Sequence, residues 1–211
     1  MQTLAPIVFL LATLVAGCAA PPPQDPGPAE RDPATITPAE MADIERRMVE
    51  AMMPGPEHQM LARYAGSWQL ETTIWPQPGA EPMTMASTAE SEMVLGGRFL
   101  MSRGSSNFMG QEVETLNLLG FDRRSKEFTL EAFDTMGTYS VGARGAMGAD
   151  GRTAVLRGTD YDAIGQLTQV YDFVITWIDD DTFKLAIVFH DRFHAPDGVP
   201  FKMVEVLNRR S

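Results

Sequence analysis

From Trp68 to the end of the chain, apolar residues recur at every second position, in short segments. That period belongs to a β-strand, whose side chains point alternately to the two faces of a sheet. The stretch 127–134 is typical: Phe128, Leu130 and Ala132 alternate with Glu127, Thr129 and Glu131, as in a sheet with one wet face. The alternation predicts about ten strands, at 67–75, 83–94, 98–107, 112–121, 127–134, 137–146, 152–159, 167–178, 182–191 and 201–209. Between them lie hairpin signals such as Pro76-Gln77-Pro78-Gly79, Gly96-Gly97, Ala149-Asp150-Gly151, Asp179-Asp180-Asp181 and Pro196-Asp197-Gly198. No helical segment of crossover length intervenes, so neighbouring strands should pair antiparallel. Such a meander leaves two bare edges unless it closes. The expected fold is therefore mainly β, an antiparallel up-and-down barrel. Residues 170–178 and 183–189 are apolar at both parities, which places their outer faces beneath an N-terminal helix or against a partner.

Before Trp68 the period is helical. Thr37-Pro38-Ala39-Glu40 supplies an N-cap, a proline at the first helical position and an acid three residues after the cap. Met41, Ile44, Met48 and Met52 follow at helical spacing until Pro54-Gly55-Pro56. A second short helix, about 57–64, offers Met60, Leu61 and Tyr64 as its apolar side.

The first thirty-odd residues are of another kind. Leu4 to Ala16 is an apolar run too short for a permanent membrane span but suited to the core of a signal peptide. Val15-Ala16-Gly17-Cys18 resembles the lipobox of bacterial lipoproteins, which implies a diacylglyceryl chain on Cys18 as the first mature residue. The amino-terminal Met1-Gln2-Thr3 departs from that pattern in lacking Lys or Arg, and a free cysteine in an ordinary signal peptide is the alternative. Ala19 to about Pro33 is dense in proline and reads as a semi-rigid tether. The expected organisation is a signal peptide at 1–17, a lipidated cysteine and tether at 18–35, helices at 36–65 and a barrel at 66–211. The expected location is the cell envelope, as a periplasmic lipoprotein held at the outer membrane through its anchor and by no other membrane contact.

Composition narrows the partners. The chain carries a net charge of −11 with no basic stripe, so it repels phosphate backbones and nucleic acid is not expected. Its single cysteine cannot form an internal disulfide, so the fold rests on its core.

Gly66-Ser67-Trp68, placed after a short helix and before the first strand, resembles the Gly-x-Trp signature of lipocalins and their calycin relatives. The resemblance implies that the indole plugs the closed end of a barrel and that an arginine of the last strand packs over it. Asn208-Arg209-Arg210 ends that strand, so Arg209 or Arg210 fills the part, with Arg209 taken as the barrel-closing candidate. More specifically, residues 54 onward resemble the domain of unknown function 1579 family of bacterial proteins. The matching stretches include Gly55-Pro56-Glu57-His58, Gly66-Ser67-Trp68, Val94-Leu95-Gly96-Gly97-Arg98-Phe99-Leu100, Leu119-Gly120-Phe121-Asp122 and Met203-Val204-Glu205. This resemblance implies a fold and supplies no catalytic residues.

The chemistry legible in the residues is sparse. His190 and His194 have a His-x-x-x-His spacing, but on an extended strand four residues separate them by about 13 Å, too far for one metal ion; only a turn after Phe189 would bring them together. A histidine on a late strand also resembles the haem-binding barrels of the nitrobindin type, whose longer Gly-x-Trp-x-Gly-x-Gly signature is absent here, since Gln69-Leu70-Glu71 follows Trp68. No nucleophile elbow occurs, and Gly142, Gly145 and Gly148 read as relief of strand curvature rather than a phosphate cradle. No catalytic residue, metal or cofactor is assigned. The frequent methionines, 14 in all, suit adaptable apolar packing, and those of the first helix follow its buried stripe.

These readings favour a binding module whose barrel takes a small apolar or amphipathic molecule. Trp68, Tyr139, Tyr171, His190 and Glu205 are its candidate lining residues. The alternative is a structural or interaction protein of the envelope whose barrel is filled by its own side chains. An enzyme and a haem-binding barrel rank below both.

Overall fold

The structure, a computed structural model, describes residues 31–211. The expected signal peptide, Cys18 and most of the tether lie outside the described residues. The chain divides into two compact units after Met41. In the described part of the first, Asp32 caps a 3-10 turn at Pro33–Thr35 by accepting the Ala34 N–H at 2.9 Å. Helix α1 (Pro38–Met52) then begins at the capping pair read from sequence. Glu40 accepts the Thr37 N–H at 2.9 Å, and the Glu40 N–H donates to the Thr37 hydroxyl at 3.3 Å.

The second unit holds the rest of α1, the short helix α2 (Pro56–Ala62) and ten strands. These are β1 (Gly66–Ile74), β2 (Met83–Val94), β3 (Phe99–Phe108), β4 (Gln111–Asp122), β5 (Glu127–Asp134), β6 (Ser140–Met147), β7 (Thr153–Asp162), β8 (Leu167–Asp179), β9 (Thr182–Phe189) and β10 (Phe201–Arg210). Each pairs antiparallel with its neighbour in sequence, and β1 also pairs with β10, closing the barrel. The closed antiparallel up-and-down barrel expected from the alternation is the one observed. Several boundaries differ from expectation: β7 runs on to Asp162 rather than stopping at 159, α2 ends at Ala62 rather than 64, and two further shifts have a local reason. β6 starts late because the Asp134 carboxylate accepts the Met136 and Gly137 N–H groups and holds them in a turn. β9 ends early because Asp191 does the same for Phe193 and His194.

Closure divides the interior into two sectors. β5, β7 and β8 send in Phe128, Leu130, Leu156, Tyr171, Phe173, Ile175 and Trp177, which pack as one cluster. Glycines let that sector close up. A Cβ on Gly145 would sit 1.9 Å from the Val155 carbonyl oxygen, and one on Gly158 would sit 2.2 Å from the Tyr171 ring. Close approach, not the curvature expected from sequence, is thus what Gly145 provides. β1 to β4 send in Leu70, Met85, Leu100 and Leu119, but between them Thr72, Ser87, Ser91, Ser102, Gly104, Thr115 and Asn117, side chains too short to fill the space they face.

Helix α1 does not pack as its stripe suggested. Met48 and Met52 stand in solvent. The helix is held by its end: Arg98 donates to the Met52 carbonyl at 2.8 Å, and Arg123 donates to the carbonyls of Glu50 and Met53. A helix C-terminus leaves its last carbonyls short of intrahelical partners, and of these Glu50 also accepts the Met53 N–H at 3.3 Å. Helix α2 packs against β3 and β4 and buries Leu61. The helices therefore do not cover the outer faces of β8 and β9, where Val174, Ala186 and Val188 are half-buried among their neighbours.

Candidate functional site

The end of the barrel bearing α2 is closed. Trp68 is fully buried there, and its indole N–H donates to the Tyr64 carbonyl at 3.0 Å. Tyr64 stacks on it at 6.1 Å between centroids, Phe183 meets its edge at 4.9 Å, and the guanidinium carbon of Arg210 lies 4.7 Å from its centroid. The barrel-closing arginine is thus Arg210. Arg209, the candidate from sequence, points outward toward Glu71 at 3.8 Å. Arg210 also donates to the carbonyls of Arg63, Ala65 and Asp180 and to the Asp181 carboxylate. Gly66 completes the plug. Its φ of +129° disfavours any side chain, and a Cβ would lie 2.9 Å from the Arg210 guanidinium.

Three of the stretches that carried the family resemblance meet beside this plug. The His58 ring accepts the Gly55 N–H at Nδ1, 3.0 Å away, and lies edge-on to Phe121. Arg98 and Arg123 hold the end of α1 in the same cleft. Burial pushes the His58 imidazole below its ordinary range, favouring the neutral form that can accept the Gly55 bond. The arrangement is a clasp, with its donors already committed to backbone carbonyls.

Above the plug lies a cavity of about 280 Å³. Tyr64, Trp177 and Phe183 form its floor, and it rises along β1–β4 toward Met85 and Ser106 near the other end. Its lining is partly apolar, with Leu100, Leu119, Leu130, Ile175, Leu185 and Val206. The rest carries hydroxyls and amides, including Thr72, Ser87, Thr115, Asn117 and Asn208, and a Ser91–Ser102 hydroxyl pair at 2.9 Å. Among the described residues no Asp, Glu, Lys, Arg or His lines it. Tyr64 is the one titratable group at its surface, and burial pushes that phenol above its ordinary range. General acid–base chemistry therefore has no partner pair in this cavity.

The candidate lining residues distribute unevenly. Trp68 lies in the plug beneath the floor. Tyr171 points inward but fills the packed sector, its hydroxyl donating to the Gly142 carbonyl at 3.2 Å. Tyr139 is exposed on the β5–β6 connection. Glu205 faces outward, where hydrogen bonding to Lys202 at 2.8 Å holds its carboxyl below the usual range. His190 also lies outside the cavity, 2.7 Å from Asp172. Burial pushes the Asp172 carboxyl up, but the hydrogen bonds from Arg157 and His190 outweigh it and hold the group below its ordinary value. His194 does fall in a turn after Phe189, yet its ring is taken by Asp191 at 2.9 Å. Among the described residues no group of three or more His, Cys, Asp or Glu is placed to hold a metal ion. The serine and threonine lining escaped sequence reading, because short polar side chains at alternate positions look like an outer face.

The family model described as "Protein of unknown function (DUF1579)" matches residues 53–210, from just before α2 to the end of β10. The chain belongs to this family. No curated protein matches it. Among solved structures, the Rv2717c protein of M. tuberculosis is 14% identical, aligns over 75% of this chain and 99% of that one, and has a TM-score of 0.52. The S-type phycobiliprotein lyase CPES of Guillardia theta is 14% identical over 78% of this chain and 97% of that one, with a TM-score of 0.47. At such identity the likeness to Rv2717c establishes a shared barrel fold and nothing about activity. The DUF1579 match covers the plug, the cavity and the side chains of the clasp, and begins just after the Glu50 and Met52 carbonyls that the clasp holds.

Proposed function

We propose that this DUF1579 barrel is a binding module for a small, uncharged, amphipathic molecule. The observation that carries the reading is the cavity above the Trp68 plug, whose lining mixes apolar and uncharged polar side chains. An apolar body would lie along Leu100, Leu130, Ile175 and Leu185, and a hydroxyl, carbonyl or amide group would meet Ser102, Thr115, Asn117 or Asn208. A charged ligand would lose its hydration with no countercharge in the cavity to replace it, a cost that selects against ions. The volume of about 280 Å³ sits near the lower end of small-molecule sites, roughly 300–1,000 Å³. That size suits a compact ligand. Against the alternative of a barrel filled by its own side chains stands the short-chain sector of β1–β4. In the same reading the chain is exported and anchored through Cys18, on the support of the lipobox-like Val15-Ala16-Gly17-Cys18.

The test is native mass spectrometry of the full chain purified gently from an envelope extract, paired with titration of the neutral dye N-phenyl-1-naphthylamine. A reproducible excess mass removed by organic extraction is expected, together with saturable dye binding. Ser102→Leu, which pushes a larger apolar group into the cavity, should weaken dye binding at least roughly tenfold, or ~1.4 kcal/mol. A clean apo mass with no saturable dye binding would overturn the reading.

A further inference from the structure

The two ends of the barrel differ in chemistry. At the closed end the hairpin tips are mostly charged: Arg123-Arg124-Ser125-Lys126, Asp150-Gly151-Arg152 and Asp179-Asp180-Asp181. Leu95 is the exception among those tips, and Met52 and Met53 at the end of α1 are also exposed on that side. At the opposite end, toward which the cavity rises, every connection but that between β1 and β2 holds bulky apolar side chains in solvent. Met109 lies between β3 and β4, Met136 and Tyr139 between β5 and β6, Ile164 between β7 and β8, and Phe193 between β9 and β10. Ile164 is 94% exposed and Met109 80%. Single exposed apolar residues are ordinary on protein surfaces. A ring of them around one opening is a feature of interaction sites.

Local folding does not account for the ring. Met109 and Gly110 form a two-residue hairpin turn with φ of +53° and +87°. Such a turn favours Asn-Gly or Asp-Gly, because a side chain at the first position is disfavoured there. Methionine thus holds an unfavourable backbone conformation while its side chain stands in water. Packing does not explain Ile164 either, since almost nothing touches it.

The ring also continues the cavity. Met85 and Ser106 line its upper part on strands that end at this mouth. Charge around the mouth is mostly negative: Glu112, Asp134, Asp162 and Asp197 lie at or beside the tips, against Arg192 and Lys202. An anionic surface would be repelled, whereas an uncharged one would not. An amphipathic ligand of low water solubility would reside in a membrane, so a mouth that enters the bilayer interface gives it a dry route.

We propose that the mouth of the barrel docks on an electrically neutral lipid surface, its apolar hairpin tips entering the boundary between headgroups and acyl chains. Transfer of ligand between bilayer and cavity rests on the function proposed above; the docking itself rests on the rim. Interfacial insertion of this kind reaches roughly 5–10 Å into the bilayer.

Trp75 provides a local reporter. It follows β1 directly at the mouth, beneath the Lys202 ammonium at 4.7 Å, while Trp68 and Trp177 are buried toward the closed end. The experiment mixes the full chain with phosphatidylcholine vesicles brominated on the acyl chains and follows tryptophan emission. Quenching is expected in wild type and should disappear in Trp75→Phe. In a Cys18→Ser chain, which lacks the proposed anchor, Ile164→Asp with Met109→Asp should lower vesicle partition at least tenfold, and phosphatidylglycerol in the vesicles should weaken it at low salt. A tether through the N-terminal segment alone would leave Trp75 unquenched, so absence of quenching overturns the proposal even if the protein sediments with vesicles. Self-association of two mouths without quenching overturns it as well. Dye titration in vesicle-free buffer separates the two ideas. Rim variants that keep dye binding but lose partition support docking, and quenching of Trp75 in a protein that binds no dye supports docking while removing the ligand.

Discussion

Replacing Arg210 by methionine tests the closed end most directly, because the substitution keeps an apolar stem over Trp68 and deletes the guanidinium. Four contacts are lost together: hydrogen bonds to the carbonyls of Arg63 (2.6 Å), Ala65 (3.0 Å) and Asp180 (2.8 Å), and the Asp181 ion pair. Each bond to a carbonyl is worth about 1 kcal/mol net. The Asp181 partner is well exposed and adds little. Stacking of the cation over the indole at 4.7 Å contributes about 0.5–1 kcal/mol. The sum is on the order of 3–4 kcal/mol, which in a domain of this size lowers Tm by on the order of 10 °C. Arg209→Met removes only a 3.8 Å surface pair with Glu71 and should cost less than about 1 kcal/mol. Thermal unfolding followed by circular dichroism, with Trp emission as a second probe, measures both. If Arg210→Met melts within a degree or two of wild type, or if the two variants fall equally, the account of the plug is wrong.

Two further outcomes follow from other parts of the molecule. Burial holds the His58 imidazole below its ordinary pKa, so the unfolded chain binds a proton at this site more readily than the folded one. Stability from His58 is therefore complete above about pH 6.5 and declines as pH falls below that value. His58→Gln can still accept the Gly55 N–H, as glutamine does at this position of a capping box. Its denaturation midpoint should vary less between pH 7 and 5 than that of wild type, and an identical dependence would refute the assignment. If Cys18 carries the anchor, cells fed radiolabelled fatty acid should label the wild-type protein and leave Cys18→Ser unlabelled; an unlabelled wild type would rule the anchor out.

Much of the architecture was legible in the chain. A period of 2, short turn signals and the absence of crossover helices are local properties, and together they leave an antiparallel meander little choice but to close. The Thr37–Glu40 cap and the strand limits follow from side-chain to backbone bonds spanning two to four residues. The site was much less legible. In β10 the register shifts between Lys202 and Val204. Counting by two from Phe201, which faces the inward Phe189, would put Glu205 and Arg209 inside. The irregularity inverts the parity, so Val204, Val206, Asn208 and Arg210 turn in while Glu205 and Arg209 turn out. One extra residue in a strand moves every later side chain to the other face, and both reassignments have that single cause.

The cavity has a different origin. Ser87, Ser102, Thr115 and Asn117 each look, on their own strands, like residues bound for water. They line an interior because ring closure carries β1–β4 around to face the aromatic side chains of β8 and β9. The chain by itself determined that a barrel forms, since alternation and turns are written into neighbouring residues. Which face of each strand points in, and which sector stays hollow, depended on pairing between residues up to the full length of the barrel apart. Only the closed tertiary structure brings those residues together.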